Sequence, residues 1–270
     1  MLEIFTIVLN GMPFITEQLP IFSRLNVPWR WHVVEGVALP EKCTGWCQPV
    51  LPSDHKNWRS NDGTTEYLDS LKYENVFVYR TTGPWHGKLD MCNAPLINIR
   101  KGAVIHEVDV DEFWSREQLE TIYHLFTLGD AGRGWYYSDC YYGPDIHVLD
   151  TEAYGERVGH SWIRTHRYTG APWQAHEPPT IPFEGRDMKR VDTAKHGLIF
   201  KHFGYALEAQ ARFKENYYRQ ANNVDYWQRL QANTAWPAQL SQFFPYWPGQ
   251  NATLGKANLY TNVIKHLQTA

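Results

Sequence analysis

The stretch that most limits the fold is residues 103–114, AVIHEVDVDEFW. It opens as a short apolar run and closes in a crowd of acids. An apolar run of this length, bounded by turn signals, reads as a buried strand of a parallel sheet. Side chains alternate along a strand, so Glu107, Asp109 and Asp111 are expected on one face near its carboxyl end. Ligands of open α/β sheets gather outside the carboxyl ends of the strands. Carboxylates that close together repel unless a positive charge sits among them. A divalent cation answers that need, because Mg²⁺ and Mn²⁺ prefer oxygen ligands and often bridge to phosphate. Asp109-Val110-Asp111 therefore reads as a metal-diphosphate site. The same acids also fit a plain acidic loop that leads into a helix capped by Ser115. Both readings stand at this level.

The residues around this stretch set the class. EIFTIVL at 3–9, WHVVEGV at 31–37 and NVFVY at 75–79 read as further strands. Helices are expected after each, over 15–25, from Thr64 or Thr65 onward, and up to about residue 99. Strand and helix in alternation mean a parallel sheet covered on both faces. No GxGxxG and no GxxxxGK[ST] occurs, so phosphates would not be held by a glycine-rich loop. The second half differs. RGWYYSDCYY at 133–142 and HSWIRTHRY at 160–168 read as antiparallel additions, with GPD at 143–145 as a turn between them. Residues 171–192 read as a Pro- and Gly-broken loop, and 197–205 as a last strand. Residues 206–233 read as one helix, and the Pro-rich tail is expected to wrap the surface.

Composition narrows the function. The net charge of -3 offers no broad basic surface for nucleic acid. The chain carries 12 Trp, 16 Tyr and 12 Phe, more rings than a core requires, and rings with one wet edge suit sugar faces. The opening MLEIFTIVLNGMPFI has neither a basic n-region nor a small-residue cleavage site, and its apolar run is too short to span a bilayer. The four cysteines do not make a disulfide framework, and CTGWC lacks a second pair at zinc spacing. They read as thiols of a reducing, cytoplasmic compartment.

Taken together, FTIVLNGMPFI, VVEGVA, DGTTEYLDSL, WHGKLDMCNAPL and HEVDVDEFW resemble the nucleotide-binding half of a GT-A glycosyltransferase of the family 2-like kind, whose metal motif is D-x-D-E. GWYYSDCYYGPD, HEPP and FKHFGYALEAQARFKENYY are similar to strings in glycosyltransferase-like proteins of bacteria and phages. The resemblance implies an α/β fold with a GT-A (Rossmann-like) mixed sheet and a C-terminal helical extension. Its catalytic domain would span 1–205, with 1–114 holding the nucleotide sugar, 115–205 on the acceptor side, and 206–270 as helix and tail. It implies a hexosyltransferase that uses Mn²⁺ or Mg²⁺. The donor would be a UDP-sugar, with UDP-glucose as the default, and the acceptor an unidentified hydroxyl; direct attack inverts configuration. Residue by residue, it places Asn10 near the base, Glu35 at uracil or ribose, and Lys88 and Asn93 along the nucleotide-sugar pocket. Asp109 would face ribose, sugar or metal, and Asp111 and His202 would hold the metal. His202 reads equally as a hydrogen-bonded core histidine. The family's Glu-Asp pair after the metal motif is missing, so the base falls to Glu177 in HEPP, to Asp139, or less readily to Asp187. The rival functions are a nucleotidyltransferase, which should show a glycine-rich phosphate loop, and a non-catalytic carbohydrate-binding protein.

Overall fold

The computed structural model describes residues 1–43, 45, 47–149, 162–176, 179–245 and 252–269. Its first half builds β1 (Leu2–Val8), α1 (Ile15–Phe22), β2 (Trp29–Glu35), α2 (Thr64–Ser70), β3 (Val76–Tyr79), α3 (Lys88–Asn93) and β4 (Val104–Glu107). The four strands run parallel in the order β3-β2-β1-β4. β1 is flanked on both edges and covered on both faces, so an unbroken apolar run is what it requires. Strand order reverses between β1 and β4: β2 and β3 lie to one side of β1, β4 to the other. That reversal opens a crevice at their carboxyl ends.

The acidic stretch is not one strand, as alternation suggested. β4 stops at Glu107, a turn carries Asp109 and Asp111, and a two-residue β5 (Glu112–Phe113) follows. Ser115 then caps α4 (Arg116–Leu128) in a capping box with Gln118, at 3.2 and 2.9 Å. The cap reading and the acidic site coexist, because the acids precede the cap instead of forming it.

The second half adds β6 (Ala131–Gly143), β7 (Ile146–Val148), β8 (Trp162–Arg167), β9 (Ala175–His176), β10 (Pro179–Thr180), β11 (Arg186–Met188), α5 (Arg190–Ala194) and β12 (Ile199–His202). β8 runs antiparallel to both β4 and β6, as expected. The turn at 143–145 closes a hairpin onto β7 instead of joining β6 to β8. β12 lies parallel to β6 and antiparallel to β5, and this sets His202 opposite Glu112. The molecule is thus a mixed α/β fold with a parallel centre and antiparallel flanks.

The C-terminal part corrects two expectations. The single helix over 206–233 is two helices, α6 (Glu208–Tyr217) and α7 (Asn223–Gln231). Arg219 and Asn222 take positive φ of 55° and 63°, which reverses the chain so that α7 packs on α6. The tail does more than wrap. β13 (Ala238–Gln239) and β14 (Thr253–Lys256) extend the sheet beyond β7, and α8 (Tyr260–Thr269) packs on α1. Its Tyr260 ring sits 5.6 Å from Phe14 and 5.8 Å from Phe203. A separate apolar cluster under these elements joins Tyr142, Tyr205, Leu230 and Phe244. Among the described residues no helix is long and apolar enough to cross a membrane.

Candidate functional site

A cleft of about 1220 Å³ opens at the carboxyl ends of β1, β2 and β4 and is closed on its far side by α6. Asn10, Lys88, Asp109, Asp111 and His202 all line it, joined by Glu107, Arg164, His176, Gln210 and Lys214. Its rings are Phe14, Tyr205, Phe213, Tyr217 and Tyr218, so the sugar-facing aromatics anticipated from composition are not Trp here. Trp31 and Trp114 are instead fully buried in the core.

Arg164 of β8 organises the acids. Its Nε donates to both oxygens of Glu112 at 3.1 and 2.9 Å, and its Nη2 donates to Asp109 Oδ2 at 2.9 Å. Its Nη1 lies 3.5 Å from Glu107 Oε2. Burial pulls the guanidinium's pKa down, but Glu112, Asp109 and Glu107 outweigh it and hold Arg164 above the ordinary arginine range. Burial also pushes the Asp109 and Glu112 carboxyls up against the pull of Arg164. Glu107 goes the other way: burial is overcome by Arg164 and by His176, whose Nε2 is 3.3 Å from Glu107 Oε1.

Asp111 and His202 form the second layer of the floor. His202 Nε2 is 3.7 Å from Asp111 Oδ1, and Phe203 N donates to the Asp111 carbonyl at 2.7 Å. Burial, then Lys214, pushes His202 down to about 3, so its imidazole is neutral near pH 7. Cys140 Sγ stands 3.9 Å from His202 Nδ1. Gly204 allows the ring its place, since a Cβ there would come within 2.7 Å of Nε2.

Among the described residues no three His, Cys, Asp or Glu side chains converge as a metal cage. Asp109, expected near the metal, is turned to Arg164. Asp111 and His202 offer one carboxylate and one neutral imidazole. That set suits an ion that takes its remaining oxygens from substrate phosphates and water.

The other expected residues fall in different places. Asn10 reaches the cleft, but its amide also ties loops together, donating to Asp54 O at 2.6 Å and accepting from Asn61 N at 2.9 Å. Lys88 opens α3 and donates to Tyr218 Oη at 3.3 Å, with Nζ 5.4 Å from the Tyr217 and Tyr218 rings. Glu35 does not line the cleft. It is buried, bonded to Arg80 Nε at 2.6 Å and to Ser60 N at 3.2 Å, because a buried acid needs a partner more than it needs a ligand. Asn93 is likewise turned inward: it binds both N and O of Trp173, at 2.9 and 3.4 Å. Asp139 lies outside the cleft lining, held by Lys201 at 2.5 Å and facing His147 Nδ1 at 3.4 Å. Asp187 pairs with Arg133 at 2.7 and 2.8 Å. Glu177 lies outside the described residues.

No protein-family model matches the sequence, and no curated protein does. Solved structures are similar at a distance. The mannosyltransferase PcManGT from Pyrobaculum calidifontis, in complex with GDP-Man and Mn²⁺, aligns with a TM-score of 0.45 at 15% identity, over 87% of this chain and 65% of that one. TarS 1-349 from S. aureus aligns with a TM-score of 0.43 at 13% identity, over 84% of this chain and 68% of that one. The complex of TarS 1-349 with UDP-GlcNAc gives 0.39 at 14% identity, over 62% of this chain and 45% of that one. The chain thus spans between under half and about two thirds of the length of these proteins.

Sequence reasoning did not single out Arg164, Gln210 or Lys214. Arg164 sits in the polar run Arg164-Thr165-His166-Arg167, where an Arg reads as solvent-facing. Gln210 and Lys214 are spaced i, i+4, so they share a face of α6, but nothing in the sequence says which face meets the acids.

Proposed function

We propose that the protein is a metal-dependent glycosyltransferase of GT-A type that moves a sugar from a nucleotide diphosphate to an acceptor hydroxyl. The observation that supports this most is the pairing of Asp111 with His202 on the floor of the crevice between β1 and β4, inside a cleft with room for a nucleotide sugar. Glu107, Asp109 and Glu112 surround the Arg164 guanidinium, and Asp111 stands beyond them near His202 and the Lys214 ammonium, so four acids meet two fixed cations. This surplus of acid favours a bound cation. Residues 1–114 hold the donor in this reading, and 115–205 with α6 the acceptor. The donor is a UDP-sugar by default.

Asp111 and His202 would hold a divalent ion, whose chemistry there would be Lewis-acid stabilisation of the departing diphosphate. The chain's own groups do the rest. Asp109, fixed by Arg164, accepts a hydroxyl of the ribose or sugar. Lys88 faces the growing negative charge from the cleft wall. A carboxylate takes the acceptor's proton, and we assign that role to Glu177, since Asp139 is engaged outside the cleft. Cys43, Cys47, Cys92 and Cys140 are thiols, none in a disulfide, which supports a cytoplasmic setting.

Calorimetric titration tests the donor half of the reading. UDP with Mn²⁺ is expected to bind the parent protein, and Asp111→Asn to lose the Mn²⁺-dependent part while keeping its melting temperature. Binding of UDP-Mn²⁺ by Asp111→Asn at the parent's affinity rejects the metal assignment. Preference for nucleoside triphosphates over UDP rejects glycosyl transfer in favour of nucleotidyl transfer. For the base, Glu177→Gln is expected to lower transfer by roughly 10²–10⁴-fold with donor affinity unchanged. Transfer at the parent's rate removes Glu177 from the mechanism.

A further inference from the structure

We infer that Gln210 is a positioning residue for Asp111, so that α6 completes the metal site from the C-terminal part of the chain. The inference rests on the metal reading above. Gln210 Oε1 accepts Leu207 N at 3.0 Å at the start of α6, and its Nε2 lies 3.1 Å from Asp111 Oδ2. The side-chain amide has one acceptor oxygen, and the helix start engages it. The end turned to Asp111 is therefore the donor. One carboxylate oxygen is held by this N–H, and the other, Oδ1, is left facing His202 Nε2 at 3.7 Å.

The physical need is specific. The terminal torsion of an Asp side chain is broad, so a carboxylate on a turn does not by itself present a fixed oxygen. Phe203 N secures only the main chain of Asp111. Gln210 secures the carboxylate itself, and it does so without adding a negative charge to a group of acids, as Glu at this position would. Groups that orient metal ligands from behind are worth about 10–100-fold in affinity.

The test is Mn²⁺ titration of the full chain by electron paramagnetic resonance with UDP present, alongside thermal melting. Gln210→Leu and Gln210→Asn, the latter one methylene too short to reach both partners, are expected to weaken Mn²⁺ binding by about 10–100-fold. Asn223→Ala is the control. Its Nδ2 donates to Ala211 O at 2.7 Å, tying α7 to α6 without touching Asp111. It is expected to lower the melting temperature and leave Mn²⁺ affinity within about twofold. Gln210 variants that bind Mn²⁺ like the parent overturn the inference, and so does an Asn223→Ala variant that loses as much as they do. If Gln210→Leu fails to fold, Gln210→Asn decides. A parent protein that binds no Mn²⁺ with UDP defeats the metal reading itself. A parent that binds while the Gln210 variants are unaffected defeats this inference alone.

Discussion

Replacing Arg164 with Met is expected to cost about 3–5 kcal/mol of folding stability, the usual result of removing one partner from a buried ion pair. The reason lies in what remains. Glu107 and Glu112 are almost wholly buried, and Asp109 is bonded to the same guanidinium. Without it, their carboxylates must stay charged in a poor solvent or take up protons. A loss of that size is a large part of the 5–15 kcal/mol that holds a typical domain. Urea denaturation at pH 7 measures it. Adding Glu112→Gln should recover part of the loss, because one uncompensated acid is removed while Glu107 and Asp109 remain. A cost below about 1 kcal/mol, within the range of exposed ion pairs, would mean that water already solvates the cluster.

Acid should destabilise the protein well above the range in which ordinary carboxylates titrate. His106 and His166 are fully buried, and burial pushes each down to about 3 from an ordinary 6.5. His106 Nδ1 meets Thr165 Oγ1 at 2.8 Å, while its Nε2 and both nitrogens of His166 have no hydrogen-bond partner among the described residues. Their folded pKa is depressed, so the unfolded chain binds the extra protons. Stability is intact above about pH 6.5 and is lost as pH falls from there toward 3. Each histidine contributes a slope of about 1.4 kcal/mol per pH unit inside that window. At pH 4.5 the two together remove roughly 5 kcal/mol, comparable to the whole stability of a marginal domain. Denaturation midpoints at pH 7, 6, 5 and 4.5 show the effect. His166→Phe, which keeps the ring packing against Trp173 and removes the titrating group, should take away about a third of the histidine slope, since His106 and His202 are depressed over the same window. A stability that stays flat from pH 7 to pH 5 would show that both rings gain protons in the folded state.

The parallel half of the fold was legible in the sequence because its strands are continuous apolar runs, buried at β1 and β4 and half-buried at the edge strand β3. EIFTIVL and NVFVY carry that pattern in their composition alone, and β1 and β3 appear where expected. The antiparallel flank was legible too, since RGWYYSDCYY and HSWIRTHRY are ring-rich strand formers of mixed pattern that follow the parallel series. Helix breaks were harder. The two positive-φ residues that split α6 from α7, Arg219 and Asn222, carry no glycine to mark them.

The same division runs through the site. Placement beyond the carboxyl ends of the parallel strands brought Asp109, Asp111 and Lys88 to the cleft, the first two in the turn after β4 and Lys88 at the start of α3, because the crevice of an open α/β sheet forms there. Partner choice is another matter. Glu35 and Asp109 are acids at or just past strand ends and Asp139 lies mid-strand in β6, yet Glu35 is closed off by Arg80, Asp109 is shared with Arg164, and Asp139 is taken by Lys201. Those cations come from 45, 55 and 62 residues away. The sequence by itself determined the parallel half of the sheet, the crevice and the acids that edge it, because these follow from local pattern. Only the tertiary structure decided which of those acids face the cleft and which are neutralised, because a carboxylate's pairing depends on the nearest cation in space. No local spacing records that distance.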